Sequence, residues 1–282
     1  MSARGTTSDR TAILTPEKWS SGALDDVARR LAEIAAEAGL TLDALQRNGC
    51  SSQYKADGSP VSEADLAAEA IISAQLSRLF PDVSVVSEEN AASHAVNCGG
   101  SFFLVDPLDG TRAYLAGAPD YCVLIALIQD HVPVAAAIHA PATGQSWWAG
   151  RSAYTCATRD FEDARVLAPH PPRTGPQIAV VSSLHAGEAS RALCRSLDVG
   201  EIRCENSALK FTRLAEGEAD IYPRVGRTMQ WDIAAGDALL RALGGGVFDL
   251  EGRPLRYGLA ASGWANPDFI AIRVQSGLHS AG

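Results

Sequence analysis

From residue 177 onward the chain alternates between two kinds of pattern, and this alternation limits the possible folds more than any other feature. Short apolar runs with strand character lie near Ile178–Val181, Ile202, Ala219–Tyr222, Gly246–Phe248 and Phe269–Val274. Helical spacing fills the gaps at Ala186–Leu197, Ala208–Glu216 and Ile233–Leu243. Strands that alternate with helices bury a sheet beneath helical layers, so a layered α/β or α+β architecture is expected. The earlier part of the chain reads differently. Leu24, Val27, Ala28, Leu31, Ile34, Ala35 and Ala38 follow helical spacing and predict an amphipathic helix that Gly39 stops. A second helix is predicted from Ser62 to Leu79, with Ser62 as its N-cap and Phe80-Pro81 as its end. Strands are predicted at Val83–Val86, Phe102–Val105, Tyr121–Gln129, Val132–His139 and Gln145–Ala149. The Pro- and His-rich stretch Ala168–Pro176 is the best internal boundary, dividing the chain into halves 20–168 and 169–282.

Composition narrows the function. At 282 residues and 46% hydrophobic content, the chain can bury one large core or two closely packed ones. The formal charge of −9 has the wrong sign for a protein that grips a nucleic-acid polymer, where phosphate contacts dominate affinity. Six cysteines are scattered without a C-x-x-C pair and read as reduced thiols of a cytoplasmic protein. No apolar run reaches the ~18 residues of a membrane span. Met1–Lys18 is polar, carries no secretion-signal pattern and reads as a frayed tail.

Acidic residues recur at element ends. Glu88 follows the strand Val83–Val86. Asp106-Pro-Leu-Asp-Gly-Thr111 follows the strand Phe102–Val105. Asp232 opens the helix after Trp231, and Asp65 opens the second helix. Strand ends and helix N-termini are where open α/β sheets hold ligands. Each acid alone reads more readily as a cap or a solvated residue, and Asp65 as an acid favouring the helix dipole. The unit Asp106–Thr111 resists that reading. Its five fixed residue types, at average usage, would arise by chance in roughly one such chain in ten thousand. Carboxylates that converge repel one another unless a hard cation lies between them, and Mg²⁺ prefers oxygen ligands. The absence of a His/Cys cluster disfavours zinc.

These segments resemble the signatures of the inositol monophosphatase superfamily. They are Asp106-Pro-Leu-Asp-Gly-Thr111, Trp231-Asp-Ile-Ala-Ala-Gly236, Ser87-Glu88-Glu89 and Ser59-Pro-Val-Ser-Glu-Ala-Asp65, in the family's order. The resemblance spans Leu24 to Val274. It implies a layered αβαβα sandwich and a Mg²⁺-dependent, lithium-sensitive phosphomonoesterase with two or three ions. By the same resemblance, Glu88, Asp106, Asp109 and Asp232 are metal ligands, and Leu108 contributes its carbonyl. Thr111, supported by Asp65, orients the attacking water, and the N–H groups of Gly110 and Thr111 hold the phosphate. Two departures are small: Ser62 stands where Thr is common, and the linker Asn90–Ser101 is short.

The second half bears on the substrate. Val180-Val-Ser-Ser-Leu-His185, Ser207-Ala-Leu-Lys210-Phe, Ala215-Glu-Gly217 and Tyr222-Pro-Arg224 resemble the 3′(2′),5′-bisphosphate nucleotidases of CysQ type. In that group the equivalents of His185, Ser207, Lys210 and Arg224 bind the nucleotide, with Asp232 at the same site. Lys210 and Arg224 would give a second phosphate its charge-assisted donors. The expected substrate is 3′-phosphoadenosine 5′-phosphate, a small phosphate ester. Two alternatives stay open: an inositol or sugar monophosphatase on the same scaffold, and a non-catalytic regulator that binds Mg²⁺ or nucleotide. Lys210 and Arg213 also read as the solvated face of one helix, and Arg224 as a surface ion pair. His94, His131, His139, His170 and His279 receive no role, and Trp147, Trp148, Trp231 and Trp264 read as packing residues.

Overall fold

The computed structural model describes residues 22–55, 58, 60–96, 98–158, 161–182, 188–197, 199–258 and 263–274. The expected tail Met1–Lys18, and His185, lie outside these residues.

Period-two alternation in the strands places apolar side chains on both faces of two sheets, so both need helical cover. The first sheet has seven strands, in the order β3 (Ser84–Ser87), β4 (Ser101–Asp109), β5 (Cys122–Gln129), β6 (Val132–Ala140), β7 (Gln145–Ala149), β8 (Ala153–Cys156) and β9 (Arg165–Leu167). Phe103, Val105, Val123, Ile125 and Leu127 point to one face, where they bury Val27 and Leu31 of α1 (Ala23–Asn48) and Ile72 and Leu76 of α2 (Glu63–Leu79). Phe102, Leu104, Leu124, Ala126 and Ile128 point to the other, against Phe211 of α5 (Leu209–Ala215) and Leu239 of α6 (Ala234–Ala242). Beyond α5 and α6 lies the second sheet, in the order β11 (Val199–Cys204), β10 (Gln177–Val181), β12 (Ile221–Arg224), β14 (Phe269–Ile272) and β13 (Gly246–Asp249). Its outer face buries Ala179, Val181, Ile221 and Ile270 with Cys194 of α4 (Glu188–Ser196). The layers run αβαβα, the sandwich expected. Every strand of the first sheet precedes residue 168 and every strand of the second follows residue 176.

Two expectations are corrected. Gly39 does not end the first helix, which continues to Asn48. Gly39 is buried inside it because a Cβ there would lie 2.5 Å from Cδ2 of His139, so glycine serves close packing rather than termination. The strand Phe102–Val105 does not stop before the acidic motif. β4 runs on through Asp109, and the motif is part of the sheet. Four further strands had no clear signal in the sequence: β8, β9 and the hairpin β1 (Ser52–Tyr54) with β2 (Pro60–Ser62).

Candidate active site

β3 and β4 are parallel, with Ser87 beside Val105. That register sets Glu88 next to Asp106, and the Glu88 N–H donates to the Val105 carbonyl at 3.1 Å. Along β4 and β5, Asp106 opposes Leu124 and Asp109 opposes Cys122, so three steps on one strand match two on the other. The extra residue is a β-bulge. In a regular strand Asp106 and Asp109 would face opposite ways; the bulge returns both to the face that carries Cys122 and Leu124. Leu108 falls on the other face, in the core beneath α1 and α2.

Asp232 comes from the second half, on a 3-10 turn spanning Gln230–Asp232. Its carboxylate accepts from the Met229 N–H at 2.8 Å, which fixes its direction. Carboxylate oxygens of Glu88, Asp106 and Asp232 all lie within 4.8 Å of one another. Burial raises the Asp106 pKa well above the usual carboxylate range, and the charges of Glu88, Asp109 and Asp232 add to it. Asp232 is raised in the same way, by burial and then by Glu88 and Asp109. An all-oxygen set that suffers from its own charge fits a hard divalent cation such as Mg²⁺.

Asp109 stands apart from this group of three. Its Oδ2 accepts from the Ala208 N–H and lies 3.7 Å from the Cys122 sulfur. It therefore faces an adjoining cavity of about 140 Å³ lined by Ser182, Ser207, Lys210, Tyr222, Arg224 and Asp232, among others. Asp106 and Asp109 thus share one bulged strand, with one acid at each side of the site.

Thr111 opens the five-residue helix α3 (Thr111–Leu115), and Gly110 before it has φ 97°. A Cβ on Gly110 would meet the Asp120 carbonyl at 2.8 Å, so glycine is required twice over. The Thr111 hydroxyl lies 3.2 Å from Oδ1 of Asp65 and 3.1 Å from the Leu108 carbonyl. Oδ2 of Asp65 accepts from the Ser62 N–H at 2.7 Å and the Ser62 hydroxyl at 2.6 Å. Asp65 is thus both a capping-box acid and a partner of Thr111. Burial raises its pKa against the pull of these hydrogen bonds.

Lys210 is buried, at 3% exposure, and is not the solvated residue that one reading of its helix allowed. Its Nζ donates to the carbonyls of Ser207 and Glu205 and sits 5.1 Å above the Tyr222 ring. Burial pulls its pKa down to about 8, partly opposed by Asp109. Arg213, on the same helix, points away and pairs with Glu205 at 2.7 Å. Arg224 reaches Ser182 Oγ at 3.4 Å, and its buried Nε has no hydrogen-bond partner among the described residues. Ser207 takes a left-handed conformation, φ 53°, where α5 begins. Sequence reading missed several neighbours of the site. Lys55, in a turn-rich stretch with no motif, donates to Glu88 at 3.1 Å and Glu89 at 2.7 Å. Cys122 looked like a core residue and is one, but its thiol touches Asp109.

The layered sandwich and the carboxylate cluster at the end of its parallel strand pair define a class: the chain belongs to the inositol monophosphatase family, whose model matches residues 23–278. Within that class it is similar to the 3′(2′),5′-bisphosphate nucleotidase CysQ of Aggregatibacter actinomycetemcomitans. The identity is 34% over 250 residues, covering 84% of this chain and 89% of that protein. It is 36% identical over 227 residues to the CysQ nucleotidase of Escherichia coli K12, covering 76% of this chain and 86% of that one. The crystal structure of CysQ from Bacteroides thetaiotaomicron superposes with a TM-score of 0.75 at 31% identity, over 88% of this chain and 97% of that one.

Proposed function

We propose that this chain is a Mg²⁺-dependent 3′(2′),5′-bisphosphate nucleotidase that hydrolyses 3′-phosphoadenosine 5′-phosphate to AMP and phosphate. One observation carries the reading: a triad of clustered carboxylates, with Asp106 buried at its centre, adjoins a cavity whose walls hold a buried ammonium and a guanidinium. A substrate with two phosphates uses both ends; a monoester of a neutral alcohol uses only the first. The CysQ nucleotidases at 34–36% identity support the same substrate.

The first half supplies Glu88, Asp106, Asp109 and the Leu108 carbonyl toward the metals, and the second half supplies Asp232. Two or three Mg²⁺ ions, when bound, neutralise these charges and make water a better nucleophile at neutral pH. The remaining steps fall to the chain. The Gly110 and Thr111 N–H groups face the scissile phosphate. Thr111 orients the attacking water and takes its proton while passing its own hydroxyl proton to Asp65, whose pKa burial raises. Lys210, Arg224 and Ser207 hold the far phosphate, and the role toward the nucleoside that the resemblance gives His185 lies outside the described residues. Li⁺ competes for the carboxylate site and inhibits. The thiols of all six cysteines are free, in keeping with a reducing, cytoplasmic setting.

The test is a substrate ratio. Lys210→Met keeps the stem and removes the charge. With one charge-assisted contact worth about 1.5–3 kcal/mol, kcat/KM for the bisphosphorylated nucleotide should fall roughly 10- to 150-fold. Turnover of inositol 1-phosphate should change less than about twofold. Equal losses, or a wild-type preference for the small ester, would overturn the assignment.

A further inference from the structure

The three clustered carboxylates come from both halves of the chain, Glu88 and Asp106 from the first and Asp232 from the second, so something must hold those halves in register at the site. Glu88 immediately follows β3 and Asp232 precedes α6. Between them lies the 3-10 helix Ala91–Ala95, made by the short linker Asn90–Ser101. Two of its residues grip the end of β3. Ser93 Oγ accepts from the Ser87 N–H at 3.1 Å, and protonated Nε2 of His94 donates to the Ser87 carbonyl at 2.8 Å. The peptide group that carries Glu88 is therefore fixed on both sides: its carbonyl by His94, its N–H by Val105.

The same histidine reaches the other half. Its ring stacks on Trp231, immediately before Asp232, with centroids 4.9 Å apart and planes inclined by 19°. Its main-chain carbonyl accepts from Nε1 of Trp264 at 3.1 Å, and the Trp264 carbonyl accepts from the Gln230 N–H at 2.8 Å. The path Glu88–Ser87–His94–Trp231–Asp232 is continuous, and Trp264 closes it into a ring. Parallel aromatic contact of this kind resists sliding as well as separation.

We propose that His94 is a positioning residue that holds Glu88 and Asp232 at their metal-binding separation, so that metal affinity depends on its bridge between the two halves. This rests on the reading that those carboxylates hold Mg²⁺. His94 touches neither the metal ligands' oxygens nor the substrate cavity; it acts on the backbone behind one ligand and on the residue beside the other. Groups that orient ligands from behind govern affinity more than chemistry once the metal is saturating.

Mn²⁺ binding to the substrate-free protein, followed by electron paramagnetic resonance, reads this directly. His94→Ala should weaken Mn²⁺ affinity roughly tenfold, the lower end for such supporting groups. His94→Phe, which keeps the ring and gives up the hydrogen bond, should lose less. Trp264→Phe, which removes the N–H donor to His94 and part of the ring while leaving His94 itself intact, should weaken it a few-fold (on the order of threefold). At saturating Mg²⁺ each variant should keep kcat within about twofold of wild type. Should His94→Ala fail to fold, His94→Phe and Trp264→Phe carry the test. Wild-type affinity in those variants, even with a lowered melting temperature, would reduce His94 to ordinary packing and overturn the proposal. Glu88→Gln serves as the control. If it leaves Mn²⁺ affinity untouched, the metal assignment itself fails and the proposal falls with it; if it abolishes binding while the His94 variants bind normally, only the proposal fails.

Discussion

The two ends of the site meet the cost of buried charge in opposite ways. At the carboxylate end, Asp106 and Asp232 are raised in pKa by burial and by each other's neighbours. At the rim of this end the Lys55 ammonium contacts Glu88 and Glu89. At the far end, Lys210 is buried against carbonyl oxygens and the face of Tyr222, and its pKa is pulled down to about 8. Neither end neutralises itself. One is short of a cation, the other of an anion, and in the proposed function a magnesium–bisphosphate complex would complete both. On that reading ligand binding removes an electrostatic cost of the fold, and each end should respond to the loss of its own charge.

The strongest way to break the comparison is at Asp106. Asp106→Asn should lower kcat about 10³-fold, because a ligand worth several kcal/mol of charge stabilisation is lost. The same variant should melt higher than wild type in EDTA at pH 7. A carboxyl whose folded pKa is raised stabilises the fold at low pH and loses that contribution as pH rises through the folded value, and Asn does not ionise. Melting curves with EDTA and with Mg²⁺ check both signs. A wild type more stable than the variant in EDTA would mean that the acids do not repel.

Thr111→Ala should come next, with kcat reduced roughly 10²-fold and KM changed by less than about twofold. Since Thr111 belongs to the chemistry and not to the far cavity, the losses for the bisphosphorylated nucleotide and for inositol 1-phosphate should match. This sharpens the contrast with Lys210→Met, whose losses should differ. Steady-state kinetics on both substrates decide it; a loss confined to one of them would move Thr111 out of the shared machinery.

The smallest expected effect is the dependence of the far end on pH. A lysine lowered to about 8 sheds its proton as pH rises through that value, so KM for the bisphosphorylated nucleotide should climb a few-fold (on the order of threefold) from pH 8 to 9. Lys210→Arg stays charged and should flatten the profile. For the ligand-free protein the sign reverses. The unfolded chain holds this proton up to about 10.5, so the Lys210 contribution to stability rises between pH 8 and 10.5. A KM that is flat in wild type would place the ammonium away from the substrate.

What the sequence by itself determined is local. Helical spacing marked α1, α2, α5 and α6, and short apolar runs marked most of the strands. The acidic motifs placed Glu88, Asp65 and Asp232 at element ends, because capping, periodicity and motif spacing act over a few neighbouring residues. The tertiary structure decided the rest. Whether Gly39 ends a helix or lets one pass depends on His139, which lies 100 residues on. Whether Asp106 and Asp109 share a face depends on a bulge set by the register against β5. Whether Lys210 is a surface lysine or a buried ammonium depends on Tyr222 and the second sheet closing over it. His94 showed no pattern at all in sequence, because its ring partner Trp231 comes from the other half of the chain. Periodicity reports which face of its own segment a residue occupies; what waits on that face is fixed only when segments far apart in sequence pack together.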